Sequence, residues 1–220
     1  MCLDQTDTRF VEACLESGTN YMDISASYDF LSAVERLDNH AKASGAAAML
    51  SVGLAPGLTN LMARAAADRM EYCEEVRITV MLGLGEKHGK AAIEWTVDQM
   101  NNKFTIGLLG TPRTVQSFTD GIKTNFRGKL GHRSAYRYNF ADQHTLPRTL
   151  NIPNVSTRLC FDVKTATAAL AWMKRDGMLQ LLRFSLLRKT AVQLFSRANL
   201  GSELFVVKIN AYGQSGMEAR

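Results

Sequence analysis

The stretch "TNYMDISASYDFLSAVERLDNHAKASGAAAMLSVG", residues 19–53, decides the fold class. "TNYMDIS" (19–25) is an apolar run that closes on an acid and a serine, as a buried strand with a polar tip does. "DFLSAVERLDNHAKASG" (29–45) spaces Phe30, Val34, Leu37 and Ala41 along one side before Gly45, which predicts a single helix ended by a glycine in the left-handed position. "AAAMLSVG" (46–53) is a second apolar run bounded by glycine. Strand, helix and strand with short connections make a parallel, right-handed β-α-β unit. Upstream, "TRFVEACLESG" places Val11, Cys14 and Leu15 at helical spacing before Gly18, which predicts a helix over 7–17. Downstream, "LAPGLTNLMARAAADRM" (54–70) turns at Pro56 and Gly57 and then stripes Leu58, Leu61, Met62 and Ala65 on one helix face.

The pattern changes at "EEVRITVMLGLG" (74–85), where Val76, Ile78, Val80, Leu82 and Leu84 alternate with Glu75, Arg77, Thr79 and Met81. That period of two predicts a half-exposed, antiparallel-type strand and a second domain from about residue 72. Beyond it "AAIEWTVDQMNNKF" (91–104) reads as a helix, and "TVQSFT", "SAYRYNF", "NVSTRLCF" and "ELFVVKINAYG" read as strands. Residues 162–201 read as two helices split near Gly177. Strands followed by helices without regular alternation indicate an α+β module with a mixed, largely antiparallel sheet. The glycine cluster "LGLGEKHGK" (82–90) has its third glycine misplaced for a dinucleotide fingerprint and reads as a turn. The chain thus divides into 1–71, 72–210 and 211–220, the last returning towards the first unit.

At 220 residues and 46% hydrophobic, the chain can fill a sizeable core. No apolar run reaches the 18 or so residues of a membrane span, and the start has no signal-peptide pattern, so a cytoplasmic setting without membrane is expected. Four scattered cysteines and four histidines show no metal-ligand spacing, so reduced thiols and no metal are expected. The whole net charge of +5 lies in residues 174–208, a local basic face. Its aromatics are not interleaved as a single-strand nucleic-acid groove needs, and its helical stripe suits packing on a sheet, so no nucleic-acid partner is expected.

Several polar residues have two readings on the residues alone. Asp23 either closes its strand or faces a ligand at the strand tip, while Ser27 or Asp29 suits a helix cap. "GLAPGLTN" (53–60) is either a tight strand-to-helix connection or a loop whose free helix N–H groups meet a carboxylate or phosphate. Trp95 and Asp98 sit one helical turn apart. Arg137 and Arg148 are candidates for a substrate carboxylate, and Arg148, in the apolar "TLPRTLNIP" loop, is expected to be partly buried.

"CLDQTDTRFVEACLESGTNYMDIS", "SVGLAPGLTNLMAR", "AIEWTVDQMNNKF" and "VVKINAYG" together resemble the saccharopine dehydrogenase-like oxidoreductases, with their lysine 6-dehydrogenase and carboxynorspermidine relatives. The resemblance implies a partial Rossmann sheet followed by a substrate-binding and dimerisation domain. It implies a fragment of an enzyme that transfers hydride between NAD or NADP and the amine-bearing carbon of an amino acid or polyamine conjugate. It also implies a homodimer and a small amino-acid-like substrate. No G-x-G-x-x-G precedes residue 19, so the chain alone is expected to be inactive and to bind no nicotinamide tightly. On the same resemblance Asp23, Ser25, Trp95, Arg137 and Arg148 are candidate substrate contacts, and Gly53, Pro56, Gly57 and Asn60 candidate cofactor contacts. No catalytic acid or base is evident. The alternative is a non-catalytic dimerisation or ligand-binding module.

Overall fold

In the computed structural model, which describes residues 7–85, 89–108, 111–197, 201–213 and 218–219, the opening stretch folds into a two-stranded parallel sheet crossed by helices. Strand β1 (Tyr21–Met22) pairs with β2 (Ala48–Met49), Tyr21 beside Ala48 and Met22 beside Met49. Helix α1 (Arg9–Glu16) precedes β1, and α2 (Tyr28–Glu35) and α3 (Asp38–Ser44) lie between the strands. Val11, Leu15, Tyr21, Val34 and Ala41 form one small core. The single helix over 29–45 is corrected to two. At Leu37 the chain turns, its N–H donating to the Val34 carbonyl at 2.9 Å. The turn lets α2 bury Leu31 and Val34 and lets α3 set off in a new direction to bury Ala41. Gly45 ends α3 at φ 72°, in the left-handed position. The apolar runs are not buried throughout: Met22, Ile24 and Met49 stand in solvent because nothing among the described residues covers that side of the two strands.

The larger sheet contains β3 (Glu75–Leu82), β4 (Lys103–Leu108), β5 (Thr111–Gln116), β6 (Ile122–Asn125), β7 (His132–Arg137), β8 (Asn154–Phe161), β9 (Phe205–Tyr212) and β10 (Glu218–Ala219). β3 runs parallel to β8 and antiparallel to β9, and β10 folds back on β9. β7 and β4 meet β8 antiparallel, and β6 and β5 extend them. The chain is therefore α/β with a mixed sheet. The register places Ile78 beside Thr157 and Ile209, and Val80 beside Leu159 and Val207, on one face. Against that face pack α4 (Leu58–Ala67) through Ala63 and Ala66, α6 (Asp142–Thr149) through Leu146, and α7 (Lys164–Arg175) through Leu170 and Met173. Each large aliphatic side chain buried there, Ile78 among them, contributes about 1.5–3 kcal/mol of transfer free energy. α4 follows β2 in the chain, yet its buried alanines belong to this second core.

The opposite face carries Arg77, Thr79, Ser156 and Arg158, which the alternation of β3 suggests should meet water. That expectation is corrected: β3 is buried on both faces. The segment 118–131, with its β6–β7 hairpin, folds over the polar face. Thr124 Oγ1 lies 3.3 Å from Thr79 Oγ1, and Lys208 Nζ donates to the Asn125 carbonyl at 2.7 Å. Phe126 and Leu130 cover Met81 and Cys160.

Other boundaries shift for local reasons. α5 (Lys90–Gln99) stops short of 104, because Asn102 Nδ2 donates to Gln99 Oε1 and the chain turns into β4, a strand absent from the sequence reading. The loop read around Arg148 is helix α6, with Pro147 inside it. The pair of helices over 162–201 is α7, a 3-10 turn over 178–183 and α8 (Ser185–Arg197), and Gly177 at φ 75° makes the break. Gly83 and Gly85 pack against residues 201–204, where a Cβ on Gly83 would lie 2.1 Å from the Ser202 carbonyl oxygen. The rest of that glycine cluster includes 86–88, outside the described residues. Of the segment 211–220, residues 211 and 212 end β9, and Glu218–Ala219 pair with them.

Candidate functional site

Three residues of α6 make the contacts at the junction: Asp142 to α4 within the large core, and His144 and Arg148 to α2 of the small one. Thr59 Oγ1, in the first turn of α4, donates to Asp142 Oδ1 at 2.5 Å in a buried contact. Tyr28, at the start of α2, stacks on His144 with ring centroids 4.3 Å apart and planes 7° from parallel. Arg148 Nη2 donates to Glu35 Oε1, at the end of α2, at 2.7 Å. The tip of β1 and the "GLAPGLTN" loop meet on the same side, where Val52 N–H donates to the Asp23 carbonyl at 2.7 Å.

At the strand tip Asp23 is buried and its carboxylate is engaged locally. Oδ2 accepts from the Tyr21 hydroxyl at 2.7 Å and Oδ1 from the Ser25 N–H at 2.5 Å. Ser25 Oγ in turn accepts the Ser27 N–H at 3.2 Å. Ser27 holds the cap position of α2, but its side chain makes no capping hydrogen bond.

The loop 53–60 explains its own glycines. Gly57 sits at φ 131°, and a Cβ there would lie 2.0 Å from the Gly53 carbonyl oxygen and 2.6 Å from its nitrogen. Only glycine lets these backbones approach so closely. The outward-pointing N–H groups proposed for this loop are not free. Leu58 N–H donates to Gly53 O at 2.9 Å, Thr59 N–H to Leu54 O at 3.1 Å, and Asn60 N–H to Gly57 O at 3.0 Å. Pro56 is buried beneath the turn. The nicotinamide cofactor implied by the resemblance needs a cradle of free N–H groups for its pyrophosphate. The described residues of this loop do not fit that need.

Some polar groups at the junction retain unused capacity. Asn60 Oδ1 and Asp142 Oδ2 are both buried without a hydrogen-bond partner among the described residues. Burial pushes the Asp142 carboxyl up to about 6, against the smaller opposing effect of the Thr59 hydroxyl. Burial likewise pulls His144 down to about 4, so its ring is neutral at physiological pH. Its Nε2 lies 2.8 Å from Asn139 Oδ1, an arrangement in which Nε2 carries the proton. Two residues apart on a helix, Asp142 and His144 face different partners, Thr59 and Tyr28. Asp142 is fully buried, and its role is to hold α4 against α6.

The structure thus sets Asp23 and Ser25 beside the loop that carries Gly53, Pro56, Gly57 and Asn60, and it turns Arg148 to Glu35 at the end of α2. It does not bring Trp95 and Arg137 to them by any described contact. Arg148 is half-exposed on the surface rather than tucked into a loop, because α6 turns it towards α2. Trp95 packs on Tyr138 and Phe140 at 5.8 and 5.3 Å between ring centroids, and its Nε1 is buried without a partner. Arg137 ends β7 opposite Arg158 of β8, and the two share Asp120 Oδ2, each at 2.7 Å. Asp142 and His144 lie outside the sequence candidates because "TLPRTLNIP" reads as a loop and hides the helix they begin; Thr59 lies inside "GLAPGLTN" but is not among the residues singled out there. The available signal was Asp142 and Leu146 one helical turn apart after an aromatic run.

A cavity of about 400 Å³ lies between α4 and β9, and none of the candidate residues lines it. Among the described residues no three His, Cys, Asp or Glu side chains converge as a metal site would need, and no helix is long and apolar enough to cross a membrane. No protein-family model matches the chain, and no curated protein matches it.

Proposed function

We propose that the chain supplies the substrate-side and dimerisation part of a saccharopine dehydrogenase-like oxidoreductase, with the junction between the two cores as one wall of the cleft. The parent reaction would be hydride transfer between NAD or NADP and the amine-bearing carbon of an amino acid or polyamine conjugate. The observation that supports this reading is that the chain at 52–60 meets both the β1 tip, through Val52 and Asp23, and α6, through Thr59 and Asp142, since ligands of open α/β sheets lie beyond the strand C-termini. In this reading β1, β2 and their crossing helices are part of a Rossmann sheet, and residues from about 72 form the substrate domain. The described residues provide no pyrophosphate cradle, so no hydride step is assigned to them.

A second reading, a non-catalytic interaction module, is favoured by Met22, Ile24 and Met49, which are 65%, 64% and 58% exposed on the small sheet. Calorimetry separates the two. The oxidoreductase reading predicts that saccharopine or a related N-substituted amino acid binds, while NADH and NADPH bind no tighter than about 1 mM, roughly −4 kcal/mol. Low-micromolar NADH binding would overturn the assignment to the substrate side. Absence of any amino-acid ligand would leave the interaction module.

A further inference from the structure

Where α7 ends against β4 and β5, the chain builds a pocket whose charges have one sign. Asn101, Lys103, Gln116, Lys174, Gln180 and Arg183 line about 360 Å³, giving three cations, three amides and no carboxylate. The residues come from separate elements. Lys103 and Gln116 are directly opposed in the β4–β5 pair and rise from the same face. Lys174 lies in the last turn of α7, and its Nζ donates to Asn101 Oδ1 at 2.7 Å. Gln180 and Arg183 lie on the 3-10 turn that follows Gly177, and the Arg183 guanidinium rests on the Phe184 ring, 4.9 Å from its centroid.

The acids of the adjoining helices are committed elsewhere, Asp98 to Arg188 and Asp176 to Arg175. Burial first, and then the like charge of Lys103, hold the Lys174 ammonium below its usual pKa. The carbonyl end of α7 favours a cation at Lys174 by about 0.3–1 kcal/mol. That accounts for Lys174 but not for Lys103 and Arg183, which arrive from other elements. Phe104, the next residue along β4, faces the other way and sets its ring edge-on to His144 at 6.0 Å. The pocket and the junction therefore lie on opposite faces of that strand.

We propose that this pocket binds the phosphoryl group of a small molecule through Lys103, Lys174 and Arg183. A phosphate monoester carries about −1.5 to −2 charges at pH 7 and three acceptor oxygens, which matches three converging cations better than a single carboxylate does. Lysines act on it as point charges, the arginine as a bidentate fork, and the amides supply further donors. The volume suits a small-molecule site, which spans about 300–1,000 Å³. This assignment does not rest on the reading of the junction.

Calorimetry on the whole chain with pyrophosphate, inorganic phosphate and succinate as probes tests it. Saturable pyrophosphate binding is expected, weaker for phosphate and at least about tenfold weaker for succinate. Lys103→Gln, at an exposed position, should weaken pyrophosphate at least about tenfold with the melting temperature unchanged, and Lys174→Gln should do the same. Lys189→Gln, an exposed charge on α8 outside the pocket, should leave the affinity unchanged. No saturable pyrophosphate binding, equal affinity for succinate, or an equal loss in Lys189→Gln would overturn the proposal. Should Lys174→Gln fail to fold, Lys103→Gln decides alone.

Discussion

Asp142 and His144, two residues apart on α6, pull the pH dependence of stability in opposite directions. The Asp142 carboxyl is held at about 6 in the folded chain against 3.8 unfolded. Between those values the unfolded chain gives up a proton that the folded chain keeps, so stability falls as pH rises through the window. His144 is held at about 4 against 6.5. Over its window the unfolded chain binds a proton that the folded chain refuses, so stability rises with pH until both are neutral. Each effect amounts to about 3 kcal/mol at 1.36 kcal/mol per pH unit, so the native protein should show a nearly flat profile between about pH 4 and 6.5. Asp142→Asn keeps the acceptor for Thr59 and should unmask stability that climbs with pH. His144→Gln should unmask stability that falls. Urea melts across that range read both slopes, and parallel flat profiles in the two variants would mean that neither group is perturbed. Gly57 offers a sharper test of backbone crowding. Gly57→Ala forces a Cβ to within 2.0 Å of the Gly53 oxygen, so it should cost about 3 kcal/mol or more and loosen the Thr59–Asp142 contact.

One shared carboxylate ties the segment over the polar sheet face to the buried arginines of β7 and β8. Asp120 is half-exposed, whereas the Arg137 and Arg158 side chains are only 9% and 6% exposed. Burial raises the Asp120 carboxyl, but the hydrogen bond from Arg137 and the charge of Arg158 outweigh it and hold it below the usual range. Arg158 also donates to the Ser156 hydroxyl at 2.5 Å, while Arg137 Nη1 has no partner among the described residues. Asp120→Ala would strand two buried guanidinium groups. The loss should be about 2 kcal/mol, less than the 3–5 kcal/mol of a fully buried pair because solvent screens Asp120. Arg137→Met in that background should recover part of it, and a double-mutant cycle by denaturant melts measures the coupling. An additive cycle would show that the charges do not hold the segment. This arrangement also shows how far the sequence could be read. β3, β8 and β9 were legible because apolar alternation follows the face that packs on helices. The cover on the other face was not, because it depends on contacts between residues such as Thr79 and Thr124, 45 positions apart. The same holds at the junction. The β1 tip and the 53–60 loop were legible from a polar ending and a Pro-Gly turn, but α6 was missed because Pro147 and short polar residues mask its periodicity.

At the scale of the whole molecule, the two cores differ in how well they are closed. The large sheet has helices on one face and the 118–131 segment on the other, whereas β1 and β2 have helices on one side only. Tyr21 and Asp23 point inward, and Met22, Ile24 and Met49 point out. A two-stranded parallel sheet is marginal by itself, and parallel strands are ordinarily covered on both faces. Among the described residues no further strand flanks β1 or β2. Exposed apolar surface drives association, and a two-fold pairing that lays the same patch on its own copy is the commonest solution. The chain should therefore self-associate at concentrations of tens of micromolar, with affinity falling as temperature is lowered because the contact is apolar. Ile24→Glu and Met49→Glu place charges on that face without touching either core. They should shift sedimentation to the monomer while thermal melting moves by no more than about 0.5 kcal/mol, the range of surface substitutions. A monomeric parent chain at those concentrations would show that the apolar face stays in water unaided, and a dimer that survives both glutamates would place the contact elsewhere on the molecule.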